Sequence, residues 1–326
     1  MSDPYAFILR ETGGPETLAA EGISIPVPGP GQVLVRHEAI GLNFIDTYHR
    51  SGLYPLPLPS GVGNEAACTI ESVGEGVSGF REGNRVGYFT GPLGAYSTHR
   101  VVDANRLVPL PDDIGFEDAA ATMLKGCTAE YLIERCARVA AGDTVLVHSA
   151  AGGVGSILVP WLKAIGATVI AHAGDSRKAA IAKELGADHA LCCPLDELAS
   201  EVRTRTEGKG VPVVLDGVGA ASWKASLGSV ARRGIVVTYG NASGPVPPFT
   251  ALDLLSAGSI FVTRPTLGDY CHTQEERQNS AARVFEMIRS GVVKVRIGAR
   301  FPLRDAAEAH RAIESRATTG STVLMP

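Results

Sequence analysis

The chain has 326 residues, 45% hydrophobic and 20% charged, with a formal net charge of −4. That composition supports folded cores, and at roughly 100–200 residues per domain the length suits two of them. No block of like charge points to nucleic acid, no apolar run reaches the ~20 residues of a membrane span, and the start "MSDPYAFILRETGG" lacks the basic lead and apolar core of a secretion signal. A cytoplasmic protein is predicted.

The first 125 residues read as β-rich. Runs such as "GQVLVRHEAIG" and "ACTIESVGEGV" alternate apolar and polar residues between Gly and Pro punctuation. "PGPG" at 28–31 and "YPLPLPSG" at 54–61 are predicted loops, because Pro cannot donate to a sheet ladder. The six cysteines form no CxxC pair and no Cys/His cluster with zinc-site spacing. Cys192 and Cys193 lie in an apolar run and are expected to be buried thiols.

From residue 127 onward, strands alternate with helix-length segments. "DTVLVHSA" is a predicted strand and "GSILVPWLKAIG" a helix, with Pro160 beyond its first turn. "ATVIAHA" and "SRKAAIAKELGA" repeat the pattern, and "HALCC", "VPVVLDGVG", "GIVVTYG" and "SIFVT" add four strands. Six apolar strands with helical crossovers predict a doubly wound parallel sheet. A helix "SAARVFEMIRSG" and a closing segment return to the first domain, and the run "TQEERQN" at 273–279 is expected to be a solvated face. "SIFVT" would be the last strand, and an exposed apolar edge invites a second subunit.

The first strand of the sheet runs into "HSAAGGVGSI" at 148–157. Gly152, Gly153 and Gly155 follow the dinucleotide fingerprint, and the helix beyond offers N–H groups to a pyrophosphate. His148, just before the turn, is expected to be a satisfied core histidine. In this fold an acid about twenty residues on binds the adenosine ribose. Gly174 stands there instead, followed by Ser176, Arg177 and Lys178, the hydroxyl and cations that suit a 2′-phosphate. Asp175 is the awkward neighbour, explicable as a helix N-cap. The cofactor expected is NADPH.

Taken together, "AIGLNFIDTYHRSGLYPLPLPSGVGNEAA", "LGAYS", "MLKGCTAEYL", "HSAAGGVG", "GNASG", "VTRP" and "ESRATTGS" resemble the zeta-crystallin-like NADPH:quinone oxidoreductases of the medium-chain dehydrogenase/reductase superfamily. The resemblance spans nearly the whole chain. It implies a GroES-like domain over 1–126 and 265–326, a Rossmann-type domain over 127–264, a cleft between them, and a homodimer. It places nicotinamide near Asn43, Tyr48, Thr128, Gly240 and Asn241. The glycine turn from Ala151 through Gly152, Gly153 and Val154 to Gly155 would carry the pyrophosphate, with Gly174, Ser176, Arg177 and Lys178 at the ribose. Gly217, Tyr239 and Ser243 complete the cofactor set, and Arg264 and Arg316 would hold phosphates or close the cleft. Cys193 stands where the family commonly has tyrosine.

Zinc relatives in the superfamily carry Cys and His ligands where this chain has Asn43, Asn64 and, approximately, Lys125. None of the three is a good zinc ligand, so no metal is expected. Alcohol oxidation, which needs a Lewis acid, is disfavoured, and reduction of a quinone or activated alkene remains. Tyr48 and Tyr54 are expected to hydrogen-bond the acceptor. Lys125 is the cation that a carboxylate substrate would use. Two rival readings stand beside quinone reduction. One is reduction of the C=C bond of enones or acrylate-like acids; the other is a non-catalytic NADPH-binding protein of crystallin or RNA-binding type. The acidic balance argues against RNA.

Overall fold

The Gly- and Pro-punctuated first part of the chain forms short antiparallel strands, as its period-2 patterning requires. The computed structural model describes residues 3–315 and 318–326. In chain order come β1 (Tyr5–Leu9), β2 (Ala19–Gly22), β3 (Gln32–Leu42), α1 (Phe44–Ser51), β4 (Ser60–Gly61), β5 (Glu65–Val73), β6 (Arg85–Tyr88), β7 (His99–Asp103), β8 (Val108–Pro109) and α2 (Phe116–Glu130). β1 lies between β2 and β4 in a three-stranded sheet. A seven-stranded sheet runs β15-β16-β3-β5-β6-β8, with β7 also paired to β3; β15 is Ile297–Pro302 and β16 Ser321–Met325. The tail returns by pairing β16 antiparallel to the end of β3, Thr322 opposite Leu42. Phe7, Val35, Ile40, Ile70, Tyr88 and Leu324 belong to the core of this part.

Two helices here carry little sequence signal. α1 buries Asp46, Thr47 and Arg50 beside Tyr48, so its buried residues are mostly polar. α2 buries Ala119, Ala120, Ala121 and Met123 completely, which leaves no polar face to set a period. After α2 the chain continues as a π-helical turn, Tyr131–Cys136, a geometry that recurs at functional sites.

The second part holds six parallel strands in the order β11-β10-β9-β12-β13-β14. They are β9 (Thr144–His148), β10 (Thr168–His172), β11 (His189–Leu191), β12 (Val211–Asp216), β13 (Val230–Thr238) and β14 (Phe261–Thr263). The order is 3-2-1-4-5-6, that of the doubly wound dinucleotide fold. Its helices are α3 (Gly155–Ile165), α4 (Ser176–Glu184), α5 (Leu195–Arg205), α6 (Trp223–Ser229) and α7 (Ala251–Ser256). Leu146, Ile170, Val214, Val236 and Trp223 fill the core beneath α5 and α6. α3 runs on through Pro160, which forfeits one intrahelical bond. α8 (Leu267–Tyr270), α9 (Gln274–Arg289) and α10 (Ala306–Glu314) complete the list.

The chain divides into two compact units: Met1–Cys127 with Cys271–Phe285 and Val295–Pro326, and Thr128–Tyr270 with Glu286–Lys294. Among the described residues no helix is long and apolar enough to cross a membrane, and all six cysteines are free.

Two local expectations are corrected. Cys192 is exposed and Cys193 half-buried, because β11 ends at Leu191 and both thiols fall in the following turn. The run 273–279 is not simply a solvated face. It opens α9, and its Arg277 is buried, donating to the carbonyls of Cys271 (3.0 Å), His272 (2.7 Å) and Asn105 (2.9 Å).

Candidate active site

In the second unit the glycine turn joins β9 to α3. Ser149 takes a left-handed φ of 52°, and the turn closes through Gly152 N–H to Ser149 O at 2.9 Å and Ser156 N–H to Gly152 O at 2.8 Å. Gly155 is obligatory: a Cβ there would overlap the Ser149 carbonyl and the Ala150 backbone. This is the close helix–strand approach that the last fingerprint glycine permits. Ala151, Gly152, Gly153 and Val154 lie on the loop between, at the positive end of the α3 dipole, where a phosphate is favoured.

Twenty-odd residues on, β10 ends and Gly174, Asp175, Ser176 and Arg177 are exposed, with Lys178 half-buried. A Cβ at Gly174 would meet nothing within 4 Å, so packing does not demand glycine there. Asp175 is the N-cap of α4: its Oδ1 accepts the Lys178 N–H at 2.8 Å. That backbone bond, with lesser help from the Lys178 and Arg177 charges, holds its carboxyl below the usual range. Cys193 sits beside the same corner, its carbonyl 3.0 Å from His172 Nε2.

At the ends of β12 and β13 a buried carboxylate organises the loops. Asp216 accepts from the Val218 N–H (2.8 Å), the Ser222 hydroxyl (2.7 Å) and the Ser226 hydroxyl (2.6 Å). Burial works to raise its pKa, but the nearby His148 and these donors outweigh burial and leave it lowered. His148 Nε2 is 3.0 Å from Ser226 Oγ, and burial pushes its pKa down to about 4. This Ser–His–Asp arrangement is not a hydrolase triad, since all three side chains are buried. The loops it anchors bring Gly217, Tyr239, Gly240, Asn241 and Ser243 together. Tyr239 N–H reaches Asp216 O at 2.8 Å and Ser243 Oγ reaches Val218 O at 2.8 Å.

Thr128 is buried in α2, and Arg264 Nη1 donates to Pro265 O at 3.0 Å. Arg316 lies outside the described residues. Tyr131 is a further candidate that sequence patterning does not single out. It is buried on the π-helical turn and stacks on Tyr270 with ring centroids 4.5 Å apart. Burial raises its hydroxyl pKa against the Arg264 charge. Only its place at the edge of "MLKGCTAEYL" marks it in the sequence.

In the first unit, Tyr48 and Tyr54 meet edge to face at 5.2 Å, fixed by Tyr54 N–H to Tyr48 O at 3.1 Å. Tyr48 is buried and Tyr54 half-buried. In the same unit α1, β5 and α2 assemble a buried polar cluster. Asn43 Nδ2 donates to Glu65 Oε2 (2.9 Å), Asn64 Nδ2 to Asp46 Oδ1 (2.7 Å), and Asn43 N–H to Asp46 Oδ2 (2.9 Å). Lys125 Nζ lies 3.8 Å from Glu65 Oε2. Burial pushes the Glu65 carboxyl up to about 7, opposed by the Lys125 charge, and the Asp46 carboxyl up to about 6, opposed by the Asn64 bond. Burial lowers the Lys125 ammonium, and the two carboxylates resist that. Tyr96 extends the network, its hydroxyl 3.2 Å from Asp46 Oδ2 and 2.9 Å from His310 Nε2.

Asn43, Asn64 and Lys125 therefore do converge on one carboxylate-lined cluster. Its donor set does not suit zinc. Both amide nitrogens donate to carboxylates, and the third group is an ammonium, whereas zinc needs thiolate, imidazole or free carboxylate electron pairs. Among the described residues no group of three or more His, Cys, Asp or Glu could hold a metal.

Comparison with known proteins agrees with this architecture. The family described as alcohol dehydrogenase GroES-like domain matches residues 29–112, and that described as zinc-binding dehydrogenase matches residues 153–286. A quinone oxidoreductase of Pseudomonas aeruginosa is 48% identical over 96% of this chain and 97% of its own length. A 2-haloacrylate reductase from a Burkholderia species is 42% identical over 98% of each chain. The crystal structure of Escherichia coli quinone oxidoreductase complexed with NADPH superposes with a TM-score of 0.96 at 42% identity, covering 99% of this chain and 100% of that one. By these identities over nearly its whole length, the chain belongs to the quinone oxidoreductase family of the medium-chain dehydrogenases/reductases.

Proposed function

We propose that this protein reduces quinones with NADPH, without a metal. The observation that carries this reading is the buried Asn43–Glu65–Lys125 cluster. Its ammonium is compensated by Glu65 at 3.8 Å, so it offers no net positive charge to a carboxylate and no Lewis acid to an alkoxide. A neutral conjugated carbonyl is the acceptor that suits such a site.

NADPH, when bound, supplies hydride from C4 of its nicotinamide. In this reading 127–264 is the cofactor domain and 1–126 with 265–326 the acceptor domain. The N–H groups of Ala151, Gly153, Val154 and Gly155 take the pyrophosphate, and Gly152, whose own N–H closes the turn on Ser149 O, lets the phosphates approach the backbone. Ser176, Arg177 and Lys178 take the 2′-phosphate, with Gly174 leaving room and Asp175 committed to capping α4. Cys193, Gly217, Tyr239, Gly240, Asn241, Ser243, Thr128 and Arg264 line the rest of the cofactor path, and Arg316 remains a phosphate candidate. On the acceptor side Tyr48 and Tyr54 orient the ring by their hydroxyls, with Asn43 and Lys125 behind them. Orientation and exclusion of water are the protein's main contributions.

The similarity to a 2-haloacrylate reductase supports a second reading, reduction of a C=C bond. One assay separates the two: NADPH consumption with 1,4-benzoquinone, an alkenal and 2-chloroacrylate in parallel. Turnover of the quinone well above the acrylate is expected. The reverse order would favour the second reading, and no turnover on any acceptor would favour a non-catalytic NADPH-binding protein.

We also propose a homodimer formed at β14. This strand ends the six-stranded sheet, Phe261 on it is 63% exposed, and nearby α7 leaves Leu252 71% and Leu255 65% exposed. An apolar patch beside an unpaired edge is a surface that a second copy would cover. Sedimentation should give a dimer at micromolar concentration and a monomer for Phe261→Glu/Leu255→Glu; a wild-type monomer would refute it. Six free thiols fit a reducing compartment, so the location proposed is the cytoplasm, which cell fractionation checks.

A further inference from the structure

Glu65 enters the reading above only as the counter-charge of Lys125, yet it is the hub of the cluster. Its carboxylate is wholly buried at the start of β5. Oε1 accepts the Leu124 N–H at 2.6 Å, and Oε2 accepts Asn43 Nδ2 at 2.9 Å and faces Lys125. The space it occupies exists because residue 41 is glycine: a Cβ there would overlap Oε2 and the Ala120 carbonyl. The sheet does not need this carboxylate, since β5 is already paired with β3 and β6. Burying an ion is costly, so its retention calls for a use.

The use is visible in the Asn43 carboxamide. Nδ2 donates both to Gly41 O at 3.3 Å and to Glu65. Oδ1 is therefore turned the other way. It leans toward the Asp46 N–H as in a capping box, but that N–H is 3.0 Å from the Asn43 carbonyl, and Oδ1 remains a buried acceptor without a hydrogen bond among the described residues. Lys125 Nζ is likewise buried with no hydrogen bond among the described residues. One carboxylate thus fixes an unsatisfied acceptor and an unsatisfied donor, a combination that is rare in a core without a ligand to complete it.

We propose that Glu65 is a positioning residue that locks the Asn43 carboxamide with Oδ1 outward and holds the Lys125 ammonium, so that the pair receives one acceptor oxygen in both its forms. A carbonyl oxygen accepts from Lys125; with a hydride from NADPH and a proton from water it becomes a hydroxyl, which donates to Asn43 Oδ1. The ligand class is a neutral conjugated ketone or quinone and its hydroxyl product. This inference rests on the reductase reading.

The test is a double-mutant cycle with Glu65→Gln and Asn43→Ala. In the Gln variant Leu124 N–H keeps the carbonyl oxygen, so an NH2 group faces Asn43 Nδ2 and the lock is lost. Each single change should raise the KM for 1,4-benzoquinone about tenfold, the worth of one hydrogen bond, and the double variant should be no worse than Asn43→Ala. Multiplying effects would overturn the proposal. A second readout needs no turnover. In isotope-labelled protein without substrate, the Asn43 side-chain amide should be protected from exchange in the wild type and unprotected in Glu65→Gln. If that variant does not fold, Glu65→Gln/Lys125→Met, which removes both charges together, carries the same comparison. Protection that survives the substitution sinks the positioning role. A wild type inactive on every acceptor sinks the reductase reading and leaves the amide comparison to judge Glu65.

Discussion

Replacing Lys125 with Met should cost about 3 kcal/mol of stability at pH 8, the scale of breaking a buried ion pair, and much less at pH 5. Lys125 is the cation of a wholly buried cluster that contains Glu65 and Asp46. Both carboxyls are already raised, to about 7 and about 6, by burial, and without the ammonium they rise further. A carboxyl with a raised folded pKa holds a proton that the unfolded chain has released. Its stabilising contribution is complete below the unfolded value and is lost as pH climbs through the folded one. The variant should therefore lose stability more steeply than the wild type from about pH 5 upward. Urea unfolding at pH 5 and pH 8 measures this directly. Equal losses at both values would mean that Lys125 matters by packing alone.

Gly155→Val should abolish NADPH binding within a working range, a loss of about a hundredfold or more in affinity, equivalent to about 3 kcal/mol. The added side chain overlaps the Ser149 carbonyl and the Ala150 backbone. Neither is a flexible side chain that can step aside, so α3 must pull away from β9 and the turn that receives the phosphates opens. Overpacking of this kind typically costs ~1–3 kcal/mol in stability as well, so fluorescence titration with NADPH should be read beside a melting curve. Gly174→Ala is the control: its Cβ meets nothing within 4 Å, and its melting temperature should match the wild type. Wild-type NADPH affinity in Gly155→Val would show that the turn does not bind the cofactor.

How far the sequence led depended on whether a signal was local. β9, β10 and β12 were legible because they are buried on both faces and read as continuous apolar runs. Alternation with helices pointed to a doubly wound parallel sheet, while the strand order is a property of the fold. α1 and α2 were not legible: one hides polar residues inside, and the other is a nearly all-buried alanine-rich helix with no polar face. Arg277 was misread because its three carbonyl partners, Asn105 among them, gather only in the fold. The same holds for the site. Asn43, Tyr48 and Lys125 stood in recognisable motifs, but nothing in "GNEAA" says that Glu65 grips Asn43 from 22 positions away. The tie from Tyr96 to His310 spans 214 positions. Asp175 was a puzzle in the sequence and resolves as a cap once its bond to the Lys178 N–H is seen.

The most direct test of the whole account is the initial rate of 1,4-benzoquinone reduction by chelator-treated protein, with NADPH and NADH compared at equal concentration. Turnover should survive metal removal and show a clear preference for NADPH, diminished when Lys178 is changed to Ala. Activity that vanishes on chelation and returns with zinc, or a preference for NADH, would contradict it.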